Sequence, residues 1–185
     1  YLVNPYMVVA GASDWEGTRG LIAGGNSYGD LIQYITIATT GNSTDFGNLT
    51  VSRGEAGACS NVTRACFAGG HNSSLYNTID YVTVATTGNA TDFGDLQNTI
   101  QGSGGLGTGG RGLFCGDASI NNIDYITIDT TGNGTDYGDL TVARKEITGT
   151  QNDTYGLWFG GHDGGGAYNT IDYVTVATTG NATDF

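Results

Sequence analysis

Eighteen acidic side chains against six basic ones leave this chain of 185 residues with a formal charge of −12, which repels phosphate backbones and anionic membrane surfaces, so nucleic-acid binding is not expected. Thirty-three glycines, one proline, eleven tyrosines and the single lysine Lys145 disfavour helices and suit short strands joined by tight turns. Apolar runs such as Met7-Val-Val-Ala10 are far too short to span a bilayer, and the first residues lack the basic and apolar regions of a signal peptide, so neither membrane insertion nor export by that route is expected.

The segment from Asn77 to Phe93 recurs letter for letter from Asn169 to Phe185, and looser copies end at Phe46 and Tyr137. Corresponding tyrosines, Tyr34, Tyr81, Tyr125 and Tyr173, recur at a period of about 46 residues, which suits propeller blades and solenoid units. Aligned on the Gly-Gly doublet, the copies fall at 1–46, 47–93, 94–137 and 138–185 and use up the whole chain as a single repeat domain.

In chain order, each block is expected to open with a short strand such as Gly94-Asp-Leu96 or Gly138-Asp-Leu-Thr-Val142, followed by a small-residue strand such as Ala56-Gly-Ala-Cys-Ser60. A strand ending in glycines comes next: Thr18 to Gly25, Thr63 to Gly70, Gly110 to Gly116 and Tyr155 to Gly161 all carry an apolar triplet before glycine, which reads as core. A variable loop leads to the Ile-Asp-Tyr strand. In the copy from Ile79 to Thr86, alternation puts Ile79, Tyr81 and Ala85 on one face and Val82 and Val84 on the other. Both faces are apolar, as stacked blades require, so an all-β propeller of four repeats fits best. The following Thr-Thr-Gly-Asn-x-Thr-Asp segment reads as a structural turn. The first residues align with an outer-strand segment, so Leu2 to Tyr6 could complete the fourth blade and close the ring; the same phase would arise in a piece cut from a longer array.

Cys59, Cys66 and Cys115 match no zinc spacing and cannot all pair within one chain. Cys66 and Cys115 lie in apolar strand segments and read as small buried hydrophobes, with a Cys59–Cys66 bridge across a hairpin as the alternative.

The succession Asp-Phe-Gly-Asp-Leu, small-residue strand, apolar-Gly-Gly and Ile-Asp-Tyr-Val-Thr resembles the kelch propeller repeat, with Phe46, Phe93, Tyr137 and Phe185 where that repeat usually opens its outer strand with tryptophan. The fuller pattern, Thr-Arg-x-apolar-Phe-x-Gly-Gly followed by Asn-Thr-Ile-Asp-Tyr-Val-Thr-apolar-Ala-Thr-Thr-Gly-Asn-Ala-Thr-Asp-Phe-Gly-Asp-Leu, resembles kelch-like arrays in virion and tail-fibre proteins of marine bacteriophages, including cyanophages. The resemblance implies a structural or host-contacting virion component that meets other virion subunits, including copies of itself. A secreted bacterial carbohydrate-binding or adhesion module is the alternative.

His71 and His162 occupy equivalent places after the Gly-Gly doublet, as duplication would leave them, and no convergent set of histidines, tyrosines and cysteine suggests a copper enzyme. Neither catalysis nor a cofactor is expected. Asp92 with Asp95, and Asp136 with Asp139, lie beside Asn89 or Asn133 and offer hard oxygen ligands suited to calcium, although their spacing is not that of a known calcium loop and turn capping explains them. Asn-x-Ser/Thr sequons at Asn42, Asn48, Asn61, Asn72, Asn89, Asn133, Asn152 and Asn181 read as turn chemistry rather than glycan sites. Binding is instead expected in the loops after Gly-Gly, where the repeats differ. There Tyr28, Tyr76 and Tyr168, with His71 and His162, offer stacking rings and hydrogen bonds suited to a host-surface glycan; edge shielding is the structural alternative.

Overall fold

The structure, a computed structural model, describes residues 18–25 and 28–185. They contain strands and no helix, as the composition predicts. Four antiparallel sheets follow one another along the chain. The first contains β1 (Arg19–Ala23), β2 (Leu31–Thr36) and β3 (Thr44–Asn48); the second β4 (Gly57–Ser60), β5 (Arg64–Ala68), β6 (Tyr76–Thr83) and β7 (Thr91–Ile100). The third holds β8 (Gly104–Thr108), β9 (Arg111–Cys115), β10 (Asn122–Thr127) and β11 (Thr135–Asp139), and the fourth β12 (Thr148–Gln151), β13 (Tyr155–Phe159), β14 (Ile171–Thr175) and β15 (Thr183–Asp184). Each sheet is a meander, and as inner strands β4 and β12 both lie against β8. This is a four-bladed, kelch-like propeller array whose sheets do not close on themselves. The expected pairing of Leu2 to Tyr6 with the fourth blade lies outside the described residues.

Two local readings are corrected. The Gly94-Asp-Leu96 segment does not open a new sheet: it continues β7, which pairs with β6 of the same blade, with Ile79 opposite Gly94 and Tyr81 opposite Thr91. Boundaries at 46/47, 93/94 and 137/138 therefore cut through outer strands, because the tight Thr-Gly-Asn turn makes the Ile-Asp-Tyr and Thr-Asp-Phe-Gly-Asp segments a hairpin. The strand holding Ile79 also stops at Thr83, and Ala85 turns out to solvent.

Apolar side chains from neighbouring blades make three cores, one at each blade-to-blade junction. Phe46, Leu49, Ala65, Phe67, Val82 and Val84 contribute to the first, Phe93, Leu96, Phe114, Ile126 and Ile128 to the second, and Tyr137, Leu140, Trp158, Val174 and Val176 to the third. Each buried aliphatic or aromatic side chain contributes about 1.5–3 kcal/mol, so the double-faced pattern of the Ile-Asp-Tyr strand is what holds blade to blade.

Polar contacts repeat with the same period. The turn of each later blade docks on the outer strand of the blade before it: Gly88 N–H donates to Phe46 C=O, Gly132 to Phe93 and Gly180 to Tyr137. Side-chain oxygens of Asn89, Asn133 and Asn181 accept from the N–H groups of Asn48, Asp95 and Asp139, each at 3.1 Å. Close approach demands glycine on the receiving strand. Gly47, Gly94 and Gly138 have φ of 152°, 144° and 144°, and a Cβ on any of them would strike the carbonyl of Gly88, Gly132 or Gly180.

All three cysteines are buried and free. Cys59 faces Cys66 across the β4–β5 hairpin in direct register without a bond between them. Burial pushes the Cys59 and Cys115 thiols well above the ordinary value, so they act as packing groups.

Candidate binding rim

The loops after the glycine doublets gather beside the chain segments that lead into the inner strands. In the second blade, His71 and Gly54 exchange two backbone hydrogen bonds of 2.9 Å; in the fourth, His162 and Lys145 do the same at 3.0 and 2.9 Å. The residue after Gly54 is Glu55 and the residue after Lys145 is Glu146, so each pairing carries a glutamate to its histidine. Glu55 Oε2 lies 3.5 Å from His71 Nδ1, at the outer limit of hydrogen bonding, and that nitrogen has no other hydrogen-bond partner among the described residues. Glu146 Oε2 lies 3.3 Å from His162 Nε2. Gly164 N–H donates to His162 Nδ1 at 3.0 Å, which leaves Nε2 to carry the proton toward Glu146.

Both glutamates stand at φ of 56°, where the equivalent residue of the third blade is Gly102 at 60°. A left-handed conformation costs a side-chain-bearing residue about 1–2 kcal/mol, a strain that clusters at functional sites. These glutamates were not among the expected site residues. A usable signal exists in the sequence: two of its three glutamates, Glu55 and Glu146, occupy the place of Gly102.

The five expected rim residues are not one constellation. Tyr28 and His71 do meet, with ring centroids 5.0 Å apart in an edge-on arrangement and Tyr28 Oη 3.2 Å from His71 Nε2. Tyr28 is 40% exposed and has φ of 52°. Tyr28, His71 and Glu55 thus form a surface cluster of ring, imidazole and carboxylate contributed by two blades.

Tyr76 and Tyr168 are occupied differently. The Tyr76 hydroxyl donates to Asn72 Oδ1 at 3.1 Å, and the same oxygen accepts from the Ser73 and Ser74 amides. In the fourth blade the Tyr168 hydroxyl donates to Asp163 Oδ2 at 2.8 Å, while Asp163 Oδ1 accepts from the Gly165 and Gly166 amides. Those bonds hold the Asp163 carboxyl below, and the Tyr168 phenol above, their ordinary ranges. Asn72 and Asp163 therefore do one job, bracing a loop beneath a tyrosine whose hydroxyl is already committed. Asp117, which stands where the second blade has Gly70, braces its own loop by accepting from Ser119 N–H at 2.8 Å.

The oxygens considered for calcium are partly spent. Asn89 and Asn133 give their carbonyl oxygens to the neighbouring blade, and no group of three or more His, Cys, Asp or Glu side chains is assembled to hold a metal among the described residues. Asn61 and Asn152 brace hairpin turns by accepting from Thr63 and Arg64, and from Thr154 and Tyr155.

No family model and no curated protein matches the sequence. Among solved structures, the chain is similar to YjhT at 10% identity with a TM-score of 0.76. The match covers 98% of this chain and 65% of that one, so the four blades span about two thirds of YjhT's length, and the likeness shows the fold alone.

Proposed function

We propose that this chain is a structural module of a bacteriophage virion, a rigid kelch-like body in a tail or fibre that touches the host surface through its rim loops. Apolar junctions and the asparagine clamps give the body its stiffness. The surface cluster of Tyr28, His71 and Glu55 carries the binding part of the proposal, because an exposed ring beside a polar dyad is the chemistry that stacks on a sugar face and hydrogen-bonds its hydroxyls. The strained Glu55 supports it, since the fold would relax with glycine at that place. The proposal assigns no reaction. It supplies adhesion, with other virion subunits and a host glycan as partners.

The decisive experiment has two readouts. Mass spectrometry of purified particles should find this chain at fixed copy number, and particles carrying Tyr28→Ala with His71→Ala should assemble normally but bind host cells at least about tenfold more weakly, which is what loss of about 1.4 kcal/mol of contact produces. Absence from particles, with retained binding of the free chain to a sugar array, would favour the secreted carbohydrate-binding module instead.

A further inference from the structure

A cleft of about 260 Å³ opens in the outer hairpin of the third blade, where β10 turns back into β11. Tyr125, Thr127, Thr130, Gly132, Asn133 and Thr135 line it. β10 leaves the variable loop at Asn122 and reaches the Thr-Gly-Asn turn at Thr127, so the cleft lies at the end of the blade away from the rim. Two neighbours fix its tyrosine. The Arg111 guanidinium lies 4.5 Å over the Tyr125 ring and Tyr137 meets that ring edge-on, yet neither lines the cleft. Asn133 gives its side-chain oxygen to the Asp95 N–H, which orients the amide and leaves Nδ2 unspent. The hydroxyls of Tyr125, Thr127, Thr130 and Thr135 have no hydrogen-bond partner among the described residues either.

The tyrosine, the glycine, the asparagine and all three threonines recur in every copy of this hairpin. The threonines are Thr36, Thr39 and Thr44 in the first blade, Thr83, Thr86 and Thr91 in the second, and Thr175, Thr178 and Thr183 in the fourth. Thr39 and Thr178 reach only a carbonyl of their own turn, at 3.5 and 3.4 Å. Buried positions of the same segments have diverged, with Val82, Ile126 and Val174 at one place and Phe93 and Tyr137 at another. Docking on the neighbouring blade accounts for Gly132 and Asn133. It does not account for Thr127, Thr130 and Thr135, which are exposed and which the stability of strand and turn leaves free to vary.

Size and charge define the ligand. The volume falls just short of the range of drug-sized ligands and suits a single sugar ring. An aromatic ring offers a stacking surface to the apolar side of a pyranose, and the hydroxyl and amide groups around it can exchange hydrogen bonds with sugar hydroxyls. Asp129 and Asp136, beside Thr130 and Thr135 in the chain, are exposed, and Arg111 is spent on the Val176 and Ala177 carbonyls, so an anionic sugar is disfavoured. We propose that the cleft binds a neutral hexose unit, stacked on Tyr125 and hydrogen-bonded by Thr127, Thr130, Thr135 and the Asn133 amide, and that the matching turns hold further units of the same polysaccharide. Each site alone is weak, and repetition raises the avidity. This surface is separate from the rim and needs neither Tyr28 nor His71.

Native electrophoresis through gels cast with dextran, laminarin or mannan, all neutral, and with the anionic polymer alginate tests this. At least one neutral polysaccharide should retard the chain, and alginate should not. Thr83→Val, Thr127→Val and Thr175→Val combined remove one hydroxyl from each of three turns with little change of shape, and should raise the dissociation constant at least about tenfold. The melting midpoint of that variant should stay within about 2 °C of the parent, because none of the three threonines is buried. Tyr28→Ala with His71→Ala should leave the retardation unchanged. Retardation by none of the neutral polymers, equal retardation by alginate, or a loss of retardation in the rim variant but not in the threonine variant would overturn the proposal, and the last result would place the glycan on the rim. So would a threonine variant that loses midpoint and retardation together, since its hydroxyls would then serve the fold.

Discussion

Arg144 donates from its guanidinium to Asp172 Oδ2 at 2.7 Å, with both side chains fully removed from solvent. The pair is a three-way tie. Arg144 Nε also donates to Gly160 C=O at 2.7 Å, and Asp172 accepts from the Thr141 amide and hydroxyl, so the segment leading into the fourth blade is fixed to two of its strands. Arg53 and Asp80 repeat the arrangement in the second blade at 2.9 Å. In the third blade Ile100 stands where the arginine would be, and Asp124 is held by the Gln97 amide and the Asn122 side chain.

Two buried aspartates at one repeat position should thus respond unequally to neutralisation. Asp172→Asn leaves the Arg144 charge buried and uncompensated, a loss of about 3–5 kcal/mol. Asp124→Asn keeps an acceptor for Gln97, and the Asn122 amide can turn to accept from the new one, so the change should stay below about 1 kcal/mol. Urea denaturation at neutral pH ranks the two variants, and an equal loss in both would refute the assignment of Arg144 as the deciding partner.

Asp124 also has a pH signature. Burial pushes its carboxyl above the ordinary value, and the Gln97 and Asn122 hydrogen bonds offset this only in part. A folded-state value above the unfolded one gives a contribution that is present below the unfolded value and lost as pH rises through the folded one. Relative to Asp124→Asn, the parent chain should therefore lose stability as pH rises through that interval. A difference curve that is flat, or slopes the other way, would contradict the desolvation argument.

Asn133 and Asn42 occupy the same place in the Thr-Gly-Asn turn, but of the two only Asn133 clamps an outer strand among the described residues. Asn133→Ala should cost about 1 kcal/mol, the worth of a hydrogen bond whose partner amide is left unsatisfied, and Asn42→Ala a few tenths at most. Thermal melts of the two variants check the contrast. A similar loss at both would mean that the asparagine serves its own turn instead of the neighbouring blade.

The duplicated Asn77–Phe93 segment and the apolar triplets before glycine made the blade legible, because side-chain alternation and the doublet state directly which residues face a neighbour. Phase was harder. A repeat has no intrinsic start, and whether Gly94-Asp-Leu96 ends one sheet or begins the next depends on pairing across the Thr-Gly-Asn turn, which composition does not express. At the rim, ring-bearing residues stood out, but their commitments did not: Tyr76 and Tyr168 look alike with Tyr28 in sequence, and only the Asn72 and Asp163 contacts show that two of the three brace loops. Glu55 and Glu146 were overlooked because a glutamate aligned with a glycine draws notice only once the backbone is known to be left-handed.

Arg64 links two blades by lying 4.5 Å over the Tyr81 ring while donating to Ile128 C=O at 3.1 Å. Arg64→Met keeps most of the aliphatic stem but removes both interactions, and should cost about 1–2 kcal/mol. Arg64→Lys should recover less than half of that, because an ammonium cannot stack as a flat guanidinium does while reaching the carbonyl. Full recovery by lysine would reduce the interaction to simple charge.

The fourth rim loop offers a titration with an internal control. The Tyr168 hydroxyl, followed by the Gly165 and Gly166 amides, holds the Asp163 carboxyl below the usual aspartate range. A depressed folded value means that the brace persists above the ordinary value and is lost as pH falls through the depressed one. Amide resonances of Gly165 and Gly166 should move only in that acidic interval, while those of Ser73 and Ser74, braced by the uncharged Asn72, follow no such step. The same bond holds the Tyr168 phenol above its ordinary value at the basic end. Asp163→Asn should return that ionisation toward the range of an ordinary tyrosine, and an unchanged phenol titration would show that Tyr168 is not held by Asp163 in solution, which would free its hydroxyl to serve as a contact on the rim.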